Sequence, residues 1–166
     1  MSEQTIVVGW FNYLDRAQDV AQDLRALRNA GRVRYQNVAI VEHHADGKVS
    51  MKDMEDVEAT EGTLFGALTG GLIGLLISGP PGAVAGAASG AATGGVVASL
   101  LDFGFSTHFL EEIKRRLRSD SSAIVVLLDD DENLDELNAT LNRYGGTYRS
   151  SPVPVQMLEI YQSGPS

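Results

Sequence analysis

Apolar residues recur along this chain in two rhythms, and one long stretch carries no charged residue at all. Thr5-Ile6-Val7-Val8-Gly9-Trp10-Phe11 is a short β-rich run that predicts a buried strand. Leu14, Ala17, Val20, Ala21, Leu24 and Leu27 then follow at helical spacing, with Asn12 as the expected N-cap and Gly31 as the left-handed stop. Val33, Tyr35 and Val38-Ala39-Ile40-Val41 predict a second strand. Asp46-Gly47 predicts a hairpin turn into a half-exposed third strand bearing Val49 and Met51.

From Gly62 to Leu101 the alternation ceases, and no charged residue occurs between Glu61 and Asp102. Glycine returns there at every fourth position in two series: Gly62, Gly66, Gly70, Gly74, then Gly82, Gly86, Gly90, Gly94. Residues four apart share a helix face, so each series draws a smooth groove along one helix. Ser78-Gly79-Pro80-Pro81 separates the two, because consecutive prolines remove backbone donors and break a helix. The expectation is a helical hairpin. Its first arm is bulky away from its glycines (Leu64, Phe65, Leu68, Leu72, Ile73), and its second is mostly alanine. An interior glycine costs about 1 kcal/mol of helix stability relative to alanine, so the pattern makes sense only where backbones approach closely. These eight glycines are the candidate packing and self-association residues. A membrane span needs about 20 residues. Gly62–Ile77 supplies sixteen and Pro81–Leu101 twenty-one, so the hairpin could cross a bilayer, enter and return, or be buried between subunits.

Beyond the hairpin, Ser106 or Thr107 is the expected cap of a helix carrying Phe109, Leu110, Ile113 and Leu117. Glu111 and Glu112 precede Lys114, Arg115 and Arg116 in the favourable order for ion pairs. Ala123–Leu128 reads as a strand buried on both faces. Leu134, Leu137, Leu141 and Tyr144 predict a helix stopped by Gly145-Gly146. Val153, Val155, Met157, Leu158 and Ile160 predict a final edge strand, its start broken by Pro152 and Pro154. The expected architecture is therefore α+β: a ferredoxin-like α/β sandwich in the order β-α-β-β-[helical hairpin]-α-β-α-β, with residues 1–61 and 102–166 forming the α/β domain and 62–101 the inserted Gly/Ala-rich hairpin.

Composition narrows the function. The net charge of −9 argues against nucleic-acid binding, and the lack of cysteine removes disulfides and thiolate metal sites. The polar start Met1–Gln4 has no basic or apolar run, which favours a cytoplasm-facing protein over a secreted one. His43-His44 beside Glu42 and Asp46 invites a metal reading, but neighbours in a strand face opposite sides and the only other histidine is His108, so no metal is expected. The acids Asp53, Glu55, Asp56, Glu58 and Glu61 read as a solvated lead-in to a helix N-terminus. No phosphate-binding glycine fingerprint and no nucleophile motif is present, and Trp10 reads as core. No catalytic residue and no cofactor is expected.

The stretch Gly66-Ala-Leu-Thr-Gly-Gly-Leu-Ile-Gly74, then Asp102-Phe-Gly-Phe-Ser106, then Ser121-Ser-Ala-Ile-Val-Val-Leu-Leu128, resembles bacterial domain of unknown function 1269 over roughly Thr5 to Leu141. That family is described as predicted membrane proteins with a central glycine-zipper hairpin. The resemblance implies membrane association without an assigned enzyme activity. The expectation is a non-enzymatic protein of the inner membrane, facing the cytoplasm, that self-assembles through the hairpin with the lipid bilayer as partner. The alternative is a cytoplasmic homo-oligomer with the hairpin between subunits. A small-molecule binding module ranks third.

Overall fold

The computed structural model describes residues 4–53, 64–78, 104–129 and 133–162. The chain falls into two compact units, Met1–Glu55 with Arg116–Pro152, and Asp56–Arg115 with Val153–Ser166.

The first unit is built on a five-stranded antiparallel sheet: β1 (Thr5–Phe11), β2 (Asn37–His43), β3 (Val49–Asp53), β4 (Ser121–Leu128) and β5 (Thr147–Pro152), in the order β3-β2-β4-β1-β5. Strand β4 takes the centre because Ser121–Leu128 is apolar on both faces, and all eight of its residues are buried. It pairs with β1 from Thr5↔Leu128 to Phe11↔Ser122 and with β2 from Asn37↔Leu127 to His43↔Ser121. Helices α1 (Arg16–Asn29) and α4 (Leu134–Arg143) belong to this unit. Ala17, Val20, Ala21 and Leu24 of α1 and Leu137 and Leu141 of α4 join Val7, Phe11, Val38, Ile40, Ile124, Val126 and Leu128 in one core. Gly9 lies in the middle of β1, and a Cβ there would meet Leu141 Cδ2 at 3.0 Å, so the missing side chain lets α4 close on the sheet.

Local chemistry sets the turns. Gly31, Gly47 and Gly145 adopt φ of +74°, +87° and +74°, the left-handed conformation expected at two helix ends and the Asp46-Gly47 turn. Asn12 does not cap α1: the N-cap is Asp15, which makes no side-chain cap bond. Instead the buried Ser122 hydroxyl accepts from the Ala17 N–H at 3.2 Å and donates to the Tyr13 carbonyl at 2.6 Å. An orphan donor of the helix start is thus satisfied from β4, which sequence proximity could not reveal.

The second unit carries α2 (Leu64–Ser78), α3 (Thr107–Arg116) and α5 (Val155–Gln162). Ser106 caps α3, its hydroxyl accepting from the Phe109 N–H at 3.1 Å. Phe105 and Phe109 stack with centroids 5.8 Å apart. The expected strand over Val153–Ile160 is wrong. The edge strand is Thr147–Pro152, and Val155–Gln162 is helical. The Pro154 carbonyl accepts from Met157 and Leu158 N–H at 3.0 and 3.1 Å, starting a helix where alternating Val153, Val155 and Met157 suggested a strand. Exposure reveals the true period: Val153 and Met157, four apart, are buried, whereas Val155 is 67% exposed.

Gly146 leaves no room for a side chain, since a Cβ would meet Phe11 Cε1 at 2.4 Å. Gly146→Ala will lower unfolding stability by about 1–3 kcal/mol through overpacking, and Gly145→Ala by about 1–2 kcal/mol through its left-handed backbone; denaturant titration of each variant measures both. Tyr144 donates its phenol proton to Asp23, and that bond, with desolvation and the Asp23 charge, raises its pKa above the ordinary 10.0. The stabilisation is present below pH 10 and is lost as pH climbs through the raised value. The stability gap between wild type and Tyr144→Phe will therefore narrow at alkaline pH, as read by thermal melts at pH 7 and above pH 10.

Candidate functional site

Helix α2 is the element whose sequence is least at ease in water. Leu64–Ser78 reads LFGALTGGLIGLLIS and has no charged residue. A helix apolar on every side has no face to offer solvent, so it must be enclosed by protein or lipid. Its start is enclosed by protein: Phe65, Gly66, Ala67, Leu68 and Thr69 are all buried. Five consecutive residues pass through more than a full turn, so no side of that segment is open. Leu72 is buried as well, and α2 touches α5 within the same unit.

Thr69 is the polar residue inside this enclosure. Its hydroxyl donates to the Phe65 carbonyl at 2.8 Å and approaches the Gly66 carbonyl at 3.3 Å, so the helix satisfies it internally. A satisfied hydroxyl can be buried at 2% exposure without an unpaired-donor penalty.

Three of the eight candidate packing glycines, Gly66, Gly70 and Gly74, lie on α2. Gly66 is buried and Gly70 half-buried. Gly71 is also buried; it stands outside the four-residue series, so the repeat gave no signal for it. Gly62, Gly82, Gly86, Gly90 and Gly94, the Pro80-Pro81 break and the acids from Glu55 to Glu61 lie outside the described residues. The energetics favour a packed α2. Four interior glycines cost about 3–4 kcal/mol of helix propensity, whereas burying Phe65, Leu68 and Leu72 returns about 4.5–9 kcal/mol. The helix exists because it is packed.

His43 Nδ1 lies 3.1 Å from the Leu117 carbonyl, while His44 Nε2 meets Ser50 Oγ at 3.0 Å and Glu42 Oε2 at 3.4 Å, so the two histidines serve different partners. Among the described residues no group of three or more His, Cys, Asp or Glu could hold a metal ion. Trp10 is core, at 4% exposure, with the Arg116 guanidinium 6.0 Å from its ring centroid. An open depression of about 550 Å³ at the end of β1 is lined by Asn12, Tyr13, Leu14, Asp15, Ser119 and Asp120. There the Ser119 hydroxyl donates to the His44 carbonyl at 3.4 Å. Glu112, buried on α3, is paired with Arg115.

An antiparallel α+β sheet and an uncharged, glycine-bearing helix are the features by which the chain can be classed. The chain belongs to the family described as "Protein of unknown function (DUF1269)", whose profile matches residues 63–154. The match starts at α2 and ends beyond β5; of the likeness expected over roughly Thr5 to Leu141, residues 63–141 lie within it. No curated protein and no solved structure matches the chain.

Thr69 offers a direct test of the enclosed helix. Thr69→Val keeps the shape and removes a hydroxyl that is satisfied locally, so it will change stability by less than about 1.5 kcal/mol, the net worth of one hydrogen bond. Thr69→Asn adds an amide that the same turn cannot satisfy and will lower the melting midpoint by several degrees; differential scanning calorimetry of both variants checks the contrast.

Proposed function

We propose that this is a non-enzymatic, membrane-associated protein that self-assembles through a glycine-repeat helical hairpin carried on a ferredoxin-like sheet. The observation that carries the reading is α2, a helix with no polar face and with glycines four apart. At 15 residues it is about 22 Å long, against a hydrocarbon core of about 30 Å. Among the described residues no helix is long and apolar enough to cross a membrane. The mode of association proposed is therefore entry and return from one face, which keeps both flanking segments on the same side. Lys114, Arg115, Arg116 and Arg118 follow the apolar stretch closely enough to favour the cytoplasmic side by the positive-inside rule. The ferredoxin-like assignment is supported by strand order: β2-β4-β1-β5 interleaves two βαβ units, with β3 as an added edge.

The enclosure of Phe65–Thr69 favours a second reading, in which the hairpin is buried between subunits of a water-soluble assembly facing the cytoplasm. Here the glycine positions beyond that enclosed segment, Gly70 among them, seat a second copy rather than lipid.

Carbonate washing of a membrane fraction and light-scattering sizing without detergent separate the two. Retention in the membrane, with aggregation relieved by detergent, is the result expected from the first reading. Full release and a monodisperse large species would transfer the assignment to the second. In either case Gly70→Leu and Gly90→Leu will reduce oligomer size with the sheet's circular dichroism preserved, and unchanged size in both would remove the glycines from assembly.

A further inference from the structure

A five-stranded open sheet has two edges, and the one formed by β5 carries its own closure. β5 pairs with β1 alone, in unbroken register from Thr5↔Pro152 to Trp10↔Thr147, and no described strand lies on its other side. Thr147, Arg149, Ser150 and Pro152 are exposed, although every residue of neighbouring β1 is buried. A six-residue edge in regular register is long enough to accept a strand from another molecule.

In an antiparallel strand, alternate residues direct their N–H and C=O groups to the same edge, so Tyr148, Ser150 and Pro152 share one. Two of their three carbonyls are already held by neighbouring side chains. Arg149 Nη1 donates to the Tyr148 carbonyl at 2.9 Å, and Ser151 Oγ donates to the Pro152 carbonyl at 3.0 Å. Pro152 also has no N–H to give. We propose that these three residues guard the free edge of β5: Arg149 and Ser151 occupy its outward carbonyls, Pro152 deletes its last donor, and Ser150 alone retains a complete outward pair. One pair does not make a ladder, and the Arg149 charge sits where an incoming strand would have to lie. The occupant refused is the equivalent strand of a second copy. Copies of this chain therefore meet elsewhere than along β5. The inference stands whether the apolar helix meets lipid or protein.

Hydrogen exchange at the Ser150 amide in the unmodified full-length protein is the primary test. Fast exchange, unchanged over about a hundredfold range of protein concentration, is expected of an unpaired edge. Slow exchange that deepens with concentration would show the edge in use and overturn the guard. The second test removes the guard with the combined variant Arg149→Thr, Ser151→Val, Pro152→Thr. If it folds by circular dichroism, its Ser150 amide will become protected as concentration rises and its mass will about double relative to wild type under the same conditions. A folded variant with wild-type mass and wild-type exchange would also overturn the proposal. A variant that fails to fold leaves the decision to the wild-type amide.

Discussion

The pairing of β4 on both sides holds the first unit together. Ser121–Leu128 is the one strand that shares hydrogen bonds with both halves of the sheet, with β2 at one edge and β1 at the other. Its alternate residues Ile124, Val126 and Leu128 enter the core with both helices of that unit. A register slip of one residue would exchange those side chains with Ala123, Val125 and Leu127 on the opposite face. The Ser122 hydroxyl joins the β1–α1 connection to this same strand, so the central pairing also fixes where the first helix begins.

The second unit answers a different constraint. Its defining helix has sequence with no solvent face, and the structure meets this by surrounding the helix start on every side. Thr69, folded back on its own carbonyls, shows how a polar atom enters such a place without an external partner. The glycines are tolerated for the same reason: the lost propensity is smaller than the apolar area gained.

Much of this was legible in the residues. The order of the described strands and helices as far as Arg143, the glycine stops at 31, 47 and 145, and the two-sided burial of the central strand follow from periodicity and turn chemistry. Two features were not. The Val155–Gln162 helix hides because Val153, Val155 and Met157 alternate as a strand would, and only burial shows that Val155 faces out. The start of α1 hides because its donor is satisfied by Ser122, 105 residues away from Ala17. Of the packing residues, the repeat exposed Gly66, Gly70 and Gly74, but buried Gly71 falls between its beats. Direct sequence chemistry finds no reactive centre to anchor a function, which is why the assignment rests on architecture.

The placement of β1 between β4 and β5 bears on the boundaries of the family itself. The segment that matches the family, residues 63–154, contains β4 and β5 but lacks β1, β2 and β3. Those two strands share no ladder; each reaches the other only through Thr5–Phe11. Excised at the matched limits, the segment would bare both sides of its most apolar strand. The matched portion is thus an incomplete sheet by itself, completed in this chain by β1 and β2.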